Sequence, residues 1–197
     1  MTNDILEQVV EDYFRSQGYF TQHNIKYRPA TKEQKHAVHS DIDILAYHPL
    51  KKASDRMRVV VASCKSWQGG LNITRDLKIL QETPNRKLAG KEHWKLFREI
   101  MDKNWAQALK AKVKELTGTE NFTFYLMVTK FQGSRDAWEN SKLFCDNLPG
   151  CNIKIMNMEE MLIPLQNELT ITPTHSGLSR MLQLIKAGGG AVTYKAK

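Results

Sequence analysis

The sequence predicts an α/β protein in which a mixed central sheet is flanked by helices on both faces. Three observations predict it. A helical apolar stripe at the N-terminus is followed by three β-rich runs with no helical pattern between them. Two later β-rich runs, FTFYLMVT and NIKIM, alternate with helical patterns. The first of these is apolar on both faces, as a central strand should be. A chain of 197 residues, 41% hydrophobic and 25% charged, has enough interior for one real core. The expected organisation is a single domain over residues 1–187 and a flexible basic tail over 188–197, from Gly188-Gly189-Gly190 to Lys195 and Lys197.

Ile5, Leu6, Val9, Val10, Tyr13 and Phe14 recur at helical spacing, so a helix is expected over about residues 3–17. Thr2 or Asn3 can cap it and Gly18 can stop it. Glu7 and Glu11 lie one turn apart on a flank of the stripe. Residues 19–28 read as extended and end at Pro29, and residues 30–40 read as a polar loop. Strands are expected at 42–47 and 58–65. The short basic connection through Lys51, Lys52 and Arg56 makes them a hairpin. Gly69-Gly70 ends that pattern. Residues 71–90 have none of their own beyond a boundary signal at Thr83-Pro84-Asn85. One long helix is expected over 91–116, with Trp94, Phe97, Met101, Trp105, Ala108 and Leu109 as its stripe and Gly118 as its stop. A strand at 122–129, a helix at 134–147, a strand at 152–156 and helices at 158–168 and 175–187 complete the chain.

The formal net charge of +8 favours polyanionic partners, because neutralising phosphates releases condensed counterions. No apolar run approaches the length that spans a bilayer, and the polar N-terminus does not look like a secretory signal, so no membrane association is expected. Cys64, Cys145 and Cys151 form no C-x-x-C pair and leave an odd count, which fits a reduced, cytoplasmic protein.

The chemistry concentrates in Asp41-Ile42-Asp43-Ile44-Leu45 and in the run ending Ser63-Cys64-Lys65. Side chains alternate along a strand, so Asp41 and Asp43 should share one side, as should Ser63 and Lys65, with Cys64 pointing away. Two carboxylates beside a lysine on adjacent strands suit a divalent cation and a phosphate ester. Plainer readings stand beside this one: Asp41 as a strand-start residue, Lys65 as a strand-end lysine reaching to water, and Glu7 as a solvated helix flank. His36 and His39 have no nearby cysteine and sit in a polar loop, which is a poor scaffold for zinc. No G-x-x-x-x-G-K-[ST] loop is present.

This order of elements and residues resembles the PD-(D/E)XK nuclease superfamily, the restriction-endonuclease-like fold, and within it the Mrr-like branch. Asp43 matches the family's first aspartate, Lys65 matches the lysine of its acid-x-Lys triplet, and Glu7, ahead of Gly18-Tyr19, matches its first-helix glutamate. The resemblance covers about residues 3–130. It implies an αβββαβ core with extra C-terminal helices and a metal-dependent DNA endonuclease, a phosphodiester hydrolase, using Mg²⁺ or Mn²⁺. Asp43, Asp41 and Glu7 would hold the metal, and Lys65 would stabilise developing charge. Arg28, Lys32, Lys35, Lys51, Lys52, Arg56 and Arg58 cluster in sequence around the proposed site and become candidate DNA contacts, with Trp67 and Gln68. Trp67 could equally pack under the sheet, and the lysines of 91–116 could be a solvated face. Many members act as homodimers, which is one arrangement the resemblance allows. The departure is Ser63, which stands where the family has an acid or glutamine and is a poor Mg²⁺ ligand. Asp41 or Glu7 could supply the missing charge. The alternative is a catalytically impaired nucleic-acid-binding or assembly subunit with the same fold.

Overall fold

The structure, a computed structural model, describes residues 4–29, 39–82, 87–88, 90–170, 176–191 and 193. Helix α1 (Ile5–Ser16) is capped by Asp4, whose carboxylate accepts from the Leu6 amide at 2.8 Å. The expected caps, Thr2 and Asn3, lie outside the described residues. The helix closes on Gly18 at φ +85°, where the Tyr19 amide reaches back to the Phe14 carbonyl. Strands β1 (Phe20–Tyr27), β2 (Ser40–Tyr47) and β3 (Val59–Lys65) follow, then β4 (Leu71–Asn72) and helix α2 (Ile73–Gln81). The short strands β5 (Lys87–Leu88) and β6 (Lys91–Glu92) lead into a 3₁₀ turn over His93–Phe97. Next come α3 (Arg98–Met101), α4 (Lys103–Thr117), β7 (Thr123–Val128), β8 (Phe131–Gln132), α5 (Arg135–Glu139) and α6 (Lys142–Asn147). Strand β9 (Asn152–Asn157) and helices α7 (Met158–Glu168) and α8 (Gly177–Ala187) end the order.

Five strands form one sheet in the order β1-β2-β3-β7-β9. The first three pair antiparallel as consecutive neighbours, whereas β3-β7 and β7-β9 are parallel. The sheet is therefore mixed, and β7 is central and buried along nearly its whole length, as its two apolar faces require. One core lies under α2 to α6 and holds Phe97, Ile100, Leu109, Phe124 and Trp138. The other lies under α1, α7 and α8 and holds Leu6, Val9, Ile44, Val60 and Met161. On the β9 edge, Glu139 covers the strand by accepting from the Ile155 amide at 3.1 Å. Asp12, buried on α1, accepts from Ser176 and, at 2.7 Å, from Ser179, which fastens α8 to α1.

Two expectations are corrected. The helix expected over 91–116 is broken up: residues 91–92 are the strand β6, the 3₁₀ turn and α3 follow, and α4 starts afresh because Asp102 is extended (φ −123°, ψ 126°) and caps it by accepting from the Asn104 and Trp105 amides. The helix expected over 134–147 breaks at Asn140-Ser141 into α5 and α6. The 71–90 stretch holds β4, α2 and β5; Thr83-Pro84-Asn85 lies outside the described residues, as do residues 192 and 194–197 of the expected tail. Among the described residues no helix is long and apolar enough to cross a membrane. The three cysteines are free thiols.

Candidate functional site

The sequence-predicted residues meet where β2 and β3 part. Their antiparallel ladder runs from Tyr47↔Val59 to Ile44↔Ala62, while β2 continues with β1 to Ser40↔Tyr27 and β3 continues with β7 to Lys65↔Val128. Asp43 and Ser63 stand one step past the last pair. The Cys64 amide donates to Asp43 Oδ2 at 2.6 Å, so a side chain replaces the missing ladder bond and holds the fork open. Ile42 belongs to one core and Ile44 to the other, although residues two apart on a strand ordinarily share a face. The strand turns over at Asp43, beside Asn24 of β1, which takes a left-handed φ of +51°. Simple alternation does not carry through this stretch: Asp41 is exposed and Asp43 half-buried, although the Asp41 charge still reaches Asp43.

The residue that sequence reasoning missed is Glu99. It projects from α3, whose Phe97, Ile100 and Met101 neighbours are buried in the core, and it is itself only 7% exposed. Its Oε1 accepts from Ser63 Oγ at 2.8 Å, and Ser63 is equally buried. Ser63 is thus joined to a carboxylate arriving from a helix. The signal was a glutamate set in Phe97-Arg98-Glu99-Ile100-Met101, with a serine lacking its expected charge elsewhere.

Burial pushes the Asp43 carboxyl above its ordinary range, against the lowering pull of the Lys65 ammonium and the Cys64 amide; Glu99 and Asp41 push it further up. Glu7 enters from the opposite face of the sheet. Ser66 Oγ donates to Asp4 Oδ2 at 2.6 Å, which ties the start of α1 to the end of β3. Burial also raises the Glu7 carboxyl, helped by the charges of Asp43 and Asp4 and opposed by His23 and Lys65. One turn on, burial works against ionisation of Glu11, but His23 and Thr21 bond to it and hold its carboxyl below the ordinary range.

The structure does not bring all candidate DNA contacts to this fork. Lys51, Lys52 and Arg56 sit in the hairpin loop at the far end of β2 and β3, roughly 13 Å from Asp43 along the strand at the usual rise per residue. There Lys51 lies 3.9 Å from Asp55, and Arg56 donates to Asn152 at 2.8 Å. Arg58 stacks on Tyr47, at 5.1 Å from the ring centroid. Trp67 packs edge-on against Phe97 at 5.8 Å in the core, while Gln68 is exposed in the turn after β3. Arg28 is exposed just past β1, at the same end of the sheet as Asp41. Lys32, Lys35 and His36 lie outside the described residues.

Among the described residues, no three His, Cys, Asp or Glu side chains form a ready metal cluster. The donor set at the fork is instead carboxylate oxygen, from Asp43 and Glu99 with Glu7 behind. Magnesium is typically held by one or two carboxylates while it keeps several waters, so these residues fit it chemically. No protein-family model, curated protein or solved structure matches the chain.

Proposed function

We propose that the chain is a Mg²⁺- or Mn²⁺-dependent DNA endonuclease with a restriction-endonuclease-like core. The observation that carries the proposal is the gathering of Asp43, the Ser63–Glu99 pair and Lys65 where β2 and β3 part, with Glu7 close enough for the Asp43 charge to raise its carboxyl. Glu99 takes the part that an acid at position 63 would play, and Ser63 becomes the group that positions it. A bound divalent cation would polarise a phosphoryl oxygen and acidify a water. Asp43 and Glu99 supply the anionic oxygens for it. The Lys65 ammonium faces the charge that accumulates on the phosphate in the transition state. Glu7, whose carboxyl is held above its ordinary range, is a proton acceptor at the edge of the site.

Incubating supercoiled plasmid with the protein and Mg²⁺ or Mn²⁺, beside the Asp43→Ala variant, tests this. Metal-dependent nicking that the variant loses supports it; equal cutting by both proteins, or none in either metal, sinks it. Ser63 favours a second reading, a nucleic-acid-binding subunit that kept the fold and lost hydrolysis. That reading expects salt-sensitive DNA binding without Asp43-dependent cutting.

A further inference from the structure

A groove of about 440 Å³ runs between the outer edge of β1 and α4, walled by Arg28 and Pro29 on one side and by Asn104, Gln107, Lys112 and Glu115 on the other. Its floor includes Ala108, small enough to let a ligand backbone approach closely. Its inner end is Tyr27, which stands opposite Ser40 at the start of β2 and meets Trp105 edge-on at 6.0 Å. The Arg98 guanidinium lies over the same Trp105 ring at 5.1 Å, one residue before Glu99. Buried Tyr27 and the Trp105 ring thus link the inner end of the groove to the helix that carries Glu99. At this end Lys26, Arg28 and Lys103 are exposed, whereas Lys112 farther along is paired with Glu115 at 2.7 Å. At the Arg28 end, where among the described residues no carboxylate balances the charge as Glu115 balances Lys112, a guanidinium and the Asn104 and Gln107 amides over a small apolar floor match a sugar–phosphate strand. Guanidinium groups grip phosphate in a fork, and amides bond sugar and phosphate oxygens.

Resting on the nuclease reading, we infer that this groove guides the DNA strand to Asp43, and that the basic hairpin loop of Lys51 and Lys52 does not. Arg98 and Lys103 touch phosphates near the scissile bond and Arg28 one farther along the strand, about 13 Å from Asp43 at the usual rise per residue, largely without reading sequence. The test uses the full chain and a short fluorescein-labelled duplex in EDTA, so that binding is read without cleavage. Affinity is followed between roughly 50 and 200 mM salt, where phosphate binding loses strength steeply. The double variant Arg28→Gln/Lys103→Gln changes two exposed side chains and leaves the core untouched. It should bind about tenfold more weakly at the low end and flatten the salt slope by about two, near one unit for each phosphate no longer neutralised. Lys51→Ala/Lys52→Ala should keep the wild-type slope.

A groove variant that binds like wild type, or a hairpin variant that flattens the slope instead, overturns the inference. If Asp43-dependent cleavage persists in that case, the groove alone has failed and the nuclease reading stands. Wild-type protein that binds no duplex at low salt overturns both.

Discussion

Replacing Glu99 by glutamine removes one negative charge and almost no volume. Ser63 Oγ, 2.8 Å from Glu99 Oε1, can still donate to the amide oxygen. A hydrogen bond to a charged group contributes about 1.5–3 kcal/mol and a neutral one about 0.5–1.5, so roughly 1 kcal/mol is lost there. Against this, a buried carboxylate carries a desolvation cost of several kcal/mol that the amide largely avoids. Folding stability should therefore fall by no more than about 1 kcal/mol, and a rise is the more natural outcome. Activity should move the other way. On the proposed nuclease reading one of two anionic oxygens for the cation is gone, and a loss of at least ~100-fold, close to 3 kcal/mol at the transition state, is expected. Plasmid nicking in saturating Mn²⁺ and urea unfolding of the same preparation read the two quantities side by side. Glu99→Gln protein that cuts within about threefold of wild type would refute the reasoning, because loss of an essential oxygen ligand should cost far more.

Further expectations follow from the same geometry. The folded chain holds the Asp43 carboxyl above its unfolded value, so between those two pKa values the folded state binds more protons and stability falls as pH rises. Asp43→Asn should accordingly be more stable than wild type at neutral pH, and urea titrations should show that gain vanishing below about pH 4. Gly70 sits at φ +74°, where a Cβ would lie 2.6 Å from the Lys130 carbonyl oxygen, so Gly70→Ala should cost about 2 kcal/mol or more in thermal unfolding. Asp102→Ala removes both cap bonds of α4 and should cost about 1 kcal/mol, with faster amide exchange confined to the first turn. Asp12→Ala strips Ser176 and Ser179 of their shared acceptor; hydrogen exchange should accelerate over 177–187 before it does in α1.

Local signals carried much of the architecture. The α1 stripe with its Gly18 stop, the β2–β3 hairpin, the doubly apolar β7 and the 158–168 helix were all readable, because periodicity and turn chemistry act within a few residues. The break at Asp102 was not, since Met101 and Trp105 are four apart and keep helical spacing across it. At the site, Asp43, Lys65 and Glu7 could be named from their places at strand ends and on the helix flank. Glu99 could not. It lies 36 residues from Ser63, and their bond exists only once α3 has packed against the sheet. The cations of the hairpin loop lie away from the fork for the opposite reason. Close in sequence to both strands, they are carried to the far end of the sheet, because an extended chain advances about 3.3 Å with each residue.

On the proposed reading Asp43 and Glu99 together make the cation site at the fork of β2 and β3. Anomalous diffraction from a crystal soaked in Mn²⁺ tests it most directly. One peak is expected within about 2.0–2.3 Å of a carboxylate oxygen of Asp43 and of Glu99, on the side of Lys65. A peak bound elsewhere, or none at saturating Mn²⁺ with both carboxylates in place, would contradict it.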